Sequence, residues 1–151
     1  VGNLVLCGAF SVETCYFRSH LLETETLHQL LGRGLAQAGD TIMPNVIIER
    51  DLKVLLAEGG PLDQLIPRQS ALRVVAHPGS AEFMEGGAVE LEQLASPSPG
   101  AMPSTRILVA VGPEAGWAEP SELQMLGAAG FRCVTAGPRI LRSDVAVCTL
   151  L

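Results

Sequence analysis

The sequence predicts an α/β layer fold, a mostly parallel sheet with helices on both faces. Short apolar runs of strand length alternate with segments in which apolar residues recur every three to four positions, the pattern of strand–helix–strand units. Three of the strand-like runs then end in turns of similar kind: HPGSA at 77–81, GPEAGW at 112–117 and AGPRILRSD at 136–144.

GNLVLCGAF, residues 2–10, is an apolar run bounded by glycine and suits a buried parallel strand. From Leu21 to Ala38 the apolar positions Leu27, Leu30, Leu31, Leu35 and Ala38 fall on one face of a helix, expected to be core, and Gly39-Asp40 stops it. Gly32 and Gly34 weaken that helix and permit close approach of another backbone. NVIIERD, 45–51, is a short extended piece after Pro44, and the amphipathic LKVLLAEGG follows it. ALRVVAHPG, 71–79, is a second strand running into a turn. Between Ser80 and Thr105 the Ser/Pro-rich SPSPGAMPS marks a surface loop, and Glu82, Glu85, Glu90 and Glu92 form a solvated rim there. TRILVAVGPEAGW, 105–117, is a third strand with a Gly-Pro turn. PSELQMLGAAG is a helix with Pro120 near its first turn and Gly130 at its end. FRCVTAG, 131–137, is a fourth strand, and 143–151 starts a closing helix.

With 151 residues, the chain is expected to form one domain, 1–151. An apolar fraction of 48% and a mean hydropathy of +0.33 point to an apolar surface or a buried interface, hence to oligomerisation. The net charge is −6 and Lys53 is the only lysine, so affinity for a polyanion by general phosphate neutralisation is excluded. Contact with nucleic acid must be local or come from another domain. Cys7, Cys15, Cys133 and Cys148 have no CxxC spacing and are expected as reduced core thiols. His20, His28 and His77 lack metal-ligand spacing, so no metal is expected. No apolar run reaches the ~18 residues of a membrane helix, and a soluble chain is expected. The first residue is Val, so a portion of a longer protein is expected, with an N-terminal domain outside this sequence.

The three Gly/Pro turns carry the candidate chemistry. In an open parallel sheet, ligands bind at the carboxyl ends of the strands, where backbone donors and helix N-termini converge. Gly112, Gly116 and Gly137 allow close backbone approach, while Pro113 and Pro138 stiffen the loops. The expected cleft is rigid, lined by backbone and suited to a flat heterocycle. Neither GxxxxGK[ST] nor GxGxxG occurs, which counts against ATP and nicotinamide chemistry.

ILVAVGPEAGW, followed by GF and then AGPRILRSDVA, resembles the paired C-terminal motifs of the ribosomal RNA small subunit methyltransferase E family, SPOUT enzymes that methylate a uridine at N3. VETCYFRSHLL and LAQAGDTIMPNV resemble the region that precedes the knot in that family. The family forms are GPEGG(F/W) and LGxRILRTETA. Here Ala115 replaces Gly, Ala136 replaces Leu, and Ser143, Asp144 and Val145 replace Thr, Glu and Thr. The segment from Trp117 to Leu123 is one residue longer.

The resemblance implies a C-terminal deep trefoil knot and S-adenosyl-L-methionine bound against three knot loops. It also implies a homodimer with the active site at the interface, small-subunit ribosomal RNA as substrate, and a PUA-like RNA-binding domain absent from this chain. The cofactor would lie against His77, Pro78, Val111, Gly112, Pro113, Gly116, Ala136, Gly137, Arg139, Ile140, Leu141 and Ser143. Arg142 would stabilise the deprotonated N3 of the uridine by its fixed charge. Glu114 would act as general base or, preferably, as the ion-pair partner that positions an arginine, since a carboxylate beside arginine is a weaker base. The bland alternatives are an ion pair of Arg139 or Arg142 with Glu114 or Asp144 and, for Trp117, a core or dimer-interface role in place of a base-stacking platform. Two other functions stay open: a SPOUT methyltransferase with a different RNA target, and a non-catalytic knotted dimerisation or RNA-docking module. The compartment is expected to be cytoplasmic, or mitochondrial or plastid in a eukaryote.

Overall fold

The computed structural model describes residues 1–78, 88–90, 106–137 and 139–151, with the backbone alone at Glu90. Most of the loop expected between Ser80 and Thr105, Glu82, Glu85 and Glu92 within it, Gly79, and Pro138 lie outside the described residues. The chain divides into two compact units, 1–8 with 12–52, and 9–11 with 53–151.

In the first unit β1 (Asn3–Cys7) is followed by two 3₁₀ turns, at Thr14–Arg18 and His20–Leu22, and then by α1 (Thr24–Ala38) and β2 (Asn45–Glu49). β1 and β2 pair in parallel from Asn3 opposite Asn45 to Cys7 opposite Glu49. The helix ends as its sequence predicts: Gly39 adopts φ +68° and the Asp40 N–H donates to the Leu35 carbonyl at 3.0 Å. The expectation that the leucine stripe is core does not hold. No residue of α1 is buried, and Leu30 is 45% exposed. A two-stranded sheet whose first strand is itself only half-buried has no closed layer under which that face could be sealed.

The second unit starts within α2 (Leu52–Leu56) and continues through α3 (Pro61–Leu65), β3 (Ala71–Ala76), β4 (Val89–Glu90), β5 (Arg106–Val111), α4 (Ser121–Ala128), β6 (Arg132–Thr135) and α5 (Ser143–Leu150). Among the described residues its sheet has the order β4-β6-β3-β5, every pair parallel. β3 lies between β5 and β6, so the chain leaving β5 returns through α4 to the opposite side of β3. The register then aligns three strand ends, with Ala76 opposite both Val111 and Val134. Val74 and Val75 of β3, Cys133 and Val134 of β6, and Leu123 and Leu126 of α4 are fully buried and form the core beneath those ends. Each such side chain contributes about 1.5–3 kcal/mol relative to exposure.

Only one of the four cysteines meets the core expectation. Cys133 is buried and burial pushes its thiol up to about 11, whereas Cys15 and Cys148 are exposed and Cys7 half-buried. Cys15, Cys133 and Cys148 are free thiols. α3, too short for a periodicity to show, carries a buried polar cluster. Arg73 on β3 is 3% exposed and donates from Nη2 to Asp63 Oδ1 at 2.8 Å and to the Ile66 carbonyl at 2.7 Å, and from Nη1 to the Ala129 carbonyl at 2.9 Å. Its guanidinium also stacks over the Phe131 ring at 5.8 Å. The planar five-donor fork suits this divergent set of oxygens, and one guanidinium thereby ties α3, β3 and the end of α4.

Candidate active site

The aligned ends of β3, β5 and β6 open into a cavity of about 460 Å³, within the range of small-molecule sites. All fourteen residues expected from the sequence line it: His77 and Pro78 after β3; Val111, Gly112, Pro113, Glu114 and Gly116 around the end of β5; and Ala136, Gly137, Arg139, Ile140, Leu141, Arg142 and Ser143 between β6 and α5. Three loops far apart in sequence converge because their strands are neighbours in register.

Hydrogen bonds hold the loops together. The His77 N–H donates to the Val134 carbonyl at 3.1 Å, linking the ends of β3 and β6. The Ser143 hydroxyl donates to the Gly112 carbonyl at 2.9 Å, linking the start of α5 to the end of β5. His77 Nε2 lies 2.9 Å from Glu119 Oε1, linking the first loop to the second. Below them the buried carboxylate of Glu122, 3% exposed, accepts from the Ala118 N–H and from the Phe10 N–H, both at 2.7 Å. Those charge-assisted bonds fix the approach to α4 and pin residues 9–11 to the second unit.

Glycine is required at two positions. A Cβ on Gly112 would sit 3.1 Å from Trp117 Nε1, so the indole packs directly on that backbone. Gly137 adopts φ +90°, in the left-handed region that β-carbon-bearing residues avoid.

The charged groups sit on the rim. Arg142 Nη2 pairs with Asp144 Oδ2 at 3.1 Å, with the two side chains 83% and 64% exposed. An ion pair so exposed holds its partners weakly and leaves the guanidinium able to turn to a substrate. The preferred arrangement, Glu114 pairing with an arginine, is not formed among the described residues; Glu114 is exposed on the loop after β5, and Arg142 takes its near neighbour Asp144 instead. Proximity along the helix start decides this, since Asp144 is two residues away and needs no loop to move.

Sequence reading missed Glu119, which also lines the cavity, together with Ala76, Val134, Ala146 and Leu150. The four apolar residues belong to strand ends and to the inner face of α5, and nothing short of the register places them there. Glu119 had a visible signal: it falls in the segment that is one residue longer than the family form. Trp117, left between core and substrate roles, is half-buried on the cavity wall.

A family model described as an RNA methyltransferase domain matches residues 3–151. The chain belongs to that family. It is 27% identical over 148 residues to the ribosomal RNA small subunit methyltransferase E of Treponema pallidum (strain Nichols), a match that covers 98% of this chain and 50% of the relative. Among solved structures, a probable rRNA-methyltransferase from Porphyromonas gingivalis superposes with a TM-score of 0.66 at 21% identity, covering 99% of this chain and 52% of that one. A ribosomal RNA small subunit methyltransferase E from Neisseria gonorrhoeae, bound to S-adenosyl methionine, superposes with a TM-score of 0.64 at 23% identity over 98% of this chain and 50% of that one. A putative methyltransferase from Legionella pneumophila, in complex with the same cofactor, gives a TM-score of 0.58 at 20% identity over 97% of this chain and 51% of that one. The chain therefore spans about half the length of the relatives it matches. This RNA methyltransferase domain has the α/β architecture with parallel strands that the sequence predicts.

Proposed function

We propose that this protein transfers a methyl group from S-adenosyl-L-methionine to N3 of a uridine in small-subunit ribosomal RNA. The observation that carries the reading is the convergence of three glycine-containing loops on one cavity at the carboxyl ends of β3, β5 and β6. The cofactor-bound relatives from Neisseria and Legionella support the choice of ligand. So does the third loop itself: Gly137, with nothing within 4 Å of where a Cβ would stand, leaves its backbone open to a flat group. The proposal includes a C-terminal trefoil knot through which α5 follows the third loop.

When bound, S-adenosylmethionine supplies an electrophilic methyl on its sulfonium, so the protein's task is orientation and charge stabilisation. The loops after β3, β5 and β6 bind the adenosine, with Ile140 and Leu141 providing apolar cover. Ser143 keeps the third loop against the second. Arg142 turns from Asp144 to the substrate base, where its fixed charge stabilises the N3 anion that attacks the methyl. Glu114, exposed beside the cavity and without a basic partner among the described residues, accepts the N3 proton.

Ile140 is 83% exposed, Leu151 75%, Val145 46% and Val147 40%. This apolar surface around α5 supports a homodimer whose interface borders the site. With a net charge of −6, the binding energy for RNA is proposed to come from a second domain.

The deciding experiment supplies radiolabelled S-adenosylmethionine and unmodified small ribosomal subunits to the protein, then maps the product nucleotide. Label at N3 of a single uridine establishes the reading. Label at another atom or in another RNA changes the substrate while keeping the enzyme. No transfer despite cofactor binding leaves a docking module.

A further inference from the structure

Phe10 is 85% exposed, more than any other large apolar side chain among the described residues, and yet its backbone is fixed. Its N–H donates to Glu122 Oε1 at 2.7 Å, and the other oxygen of the same carboxylate accepts from the Ala118 N–H at 2.7 Å. Glu122 is itself 3% exposed, so both bonds are charge-assisted and shielded from water. Ala118 stands between Trp117 and Glu119, which line the cavity. One carboxyl group therefore separates the backbone of Phe10 from the second loop of the site. Single apolar residues at a surface need no explanation, but a phenyl ring in water on so rigid a mount, beside the cavity, is placed for contact.

We propose that the Phe10 ring is a stacking platform for a base of the RNA strand next to the target nucleotide, and that Glu122 is the positioning residue that holds it there. The inference rests on the RNA methyltransferase reading above and adds a substrate contact to it. Phe10 does not line the cavity, so its ring takes a neighbour of the reacting base and not that base itself. With a net charge of −6 and a single lysine, the chain offers little phosphate neutralisation at the site. Stacking needs no counter-charge, and every base has a π-face, so one fixed aromatic ring aligns a single strand even on an acidic surface. The neighbours Gly8, Ala9 and Ser11 carry no large apolar side chain, so the ring stands alone on its segment, unlike the contiguous apolar core of a protein–protein contact.

The test is methyl transfer to unmodified small ribosomal subunits by the unsubstituted protein and by Phe10→Ala, Phe10→Leu and Phe10→Trp. Melting temperature, S-adenosylhomocysteine affinity and sedimentation are measured on the same samples. Phe10→Ala and Phe10→Leu should raise KM for the RNA about five- to a hundredfold, the loss of one stacked base. The maximal rate, cofactor affinity and melting temperature should stay those of the parent, because the ring packs on nothing that folds or reacts. Phe10→Trp should restore KM. Glu122→Gln, which faces one of the two N–H groups with an amide donor, should raise KM in the parent but add little in the Phe10→Ala background, as expected if it acts through that ring. Anisotropy with a single-stranded oligouridylate gives the same comparison without turnover, and the loss in Phe10→Ala should be equal at low and high salt, since a phenyl ring releases no counterion. Unchanged KM and oligouridylate affinity in Phe10→Ala, or rescue by leucine equal to that by tryptophan, overturns the inference. A change of oligomeric state in Phe10→Ala overturns it in favour of a second copy of the chain on the ring. No transfer by the unsubstituted protein, with oligouridylate binding still dependent on Phe10, overturns the methyltransferase reading and leaves the stacking platform standing.

Discussion

The Ser143 hydroxyl donates to the Gly112 carbonyl at 2.9 Å across 31 positions of sequence, and by that bond the first residue of α5 holds the loop after β5. Removing it in Ser143→Ala is expected to cost about 0.5–1.5 kcal/mol of stability, the net value of an ordinary hydrogen bond. S-adenosylhomocysteine affinity should fall as well, because the second and third loops then move independently. Denaturant unfolding and calorimetry on the same samples check both effects.

Gly137 tests the third loop alone. At φ +90°, valine is strained by about 1–2 kcal/mol, although no atom lies within 4 Å of the added Cβ. Gly137→Val is therefore expected to shift the loop rather than clash. Cofactor binding should be lost while far-ultraviolet circular dichroism stays that of the parent. Retained affinity would remove this loop from the cofactor site.

Arg142→Ala separates chemistry from binding. The side chain is 83% exposed and paired only at the surface, so the melting temperature should change little. Methyl transfer should fall about 10²- to 10³-fold with S-adenosylhomocysteine affinity kept, as expected for a charge used in the transition state. Single-turnover assays against calorimetry make the comparison, and equal turnover would take Arg142 out of the reaction.

Acid stability should report on Asp63. Burial pushes its carboxyl up, but the hydrogen bonds from Arg73 and Arg68 and from the Gly59 N–H outweigh that and hold it below its ordinary 3.8. A depressed carboxyl stabilises the fold above its unfolded value, and that contribution is lost as pH falls from about 4 through the folded value. Asp63→Asn should flatten the stability profile in that window. At neutral pH, Arg73→Ala should cost about 1–3 kcal/mol by leaving the Ile66 and Ala129 carbonyls without their donor, while Arg68 and the Gly59 N–H still hold the Asp63 carboxylate.

Thiol chemistry distinguishes the cysteines. Cys133, with its thiol pushed up to about 11 by burial, should resist a disulfide reagent at pH 8 until the protein unfolds, while exposed Cys148 reacts first and Cys15, exposed but with its thiol pushed up by its hydrogen bond to Glu13, follows more slowly. Because the unfolded thiol ionises near 9.0 and the folded one does not, Cys133 should also lower stability as pH rises from about 9 towards 11.

The sequence by itself determined most of the elements and which loops line the cavity. Apolar periodicity located β1, α1, β2, β3, β5, α4, β6 and α5, and the GPEAG and GPRILRSD motifs named the residues that line the cavity, because local backbone demands at glycine and proline are written locally. Tertiary structure decided what depends on distant partners. The stripe on α1 is as apolar as a core stripe and yet is not buried, since burial is set by how much sheet a unit offers and not by the helix. Arg73 is a charge in the middle of a strand, and the oxygens of Asp63, Ile66 and Ala129 make its burial stable. The pairing of Arg142 with Asp144 is local, between residues two apart at the start of α5, but that of His77 with Glu119 follows from where the loop ends meet in space. Those ends are fixed by the register of β3 between β5 and β6, a long-range hydrogen-bond pattern that no local stretch of sequence encodes.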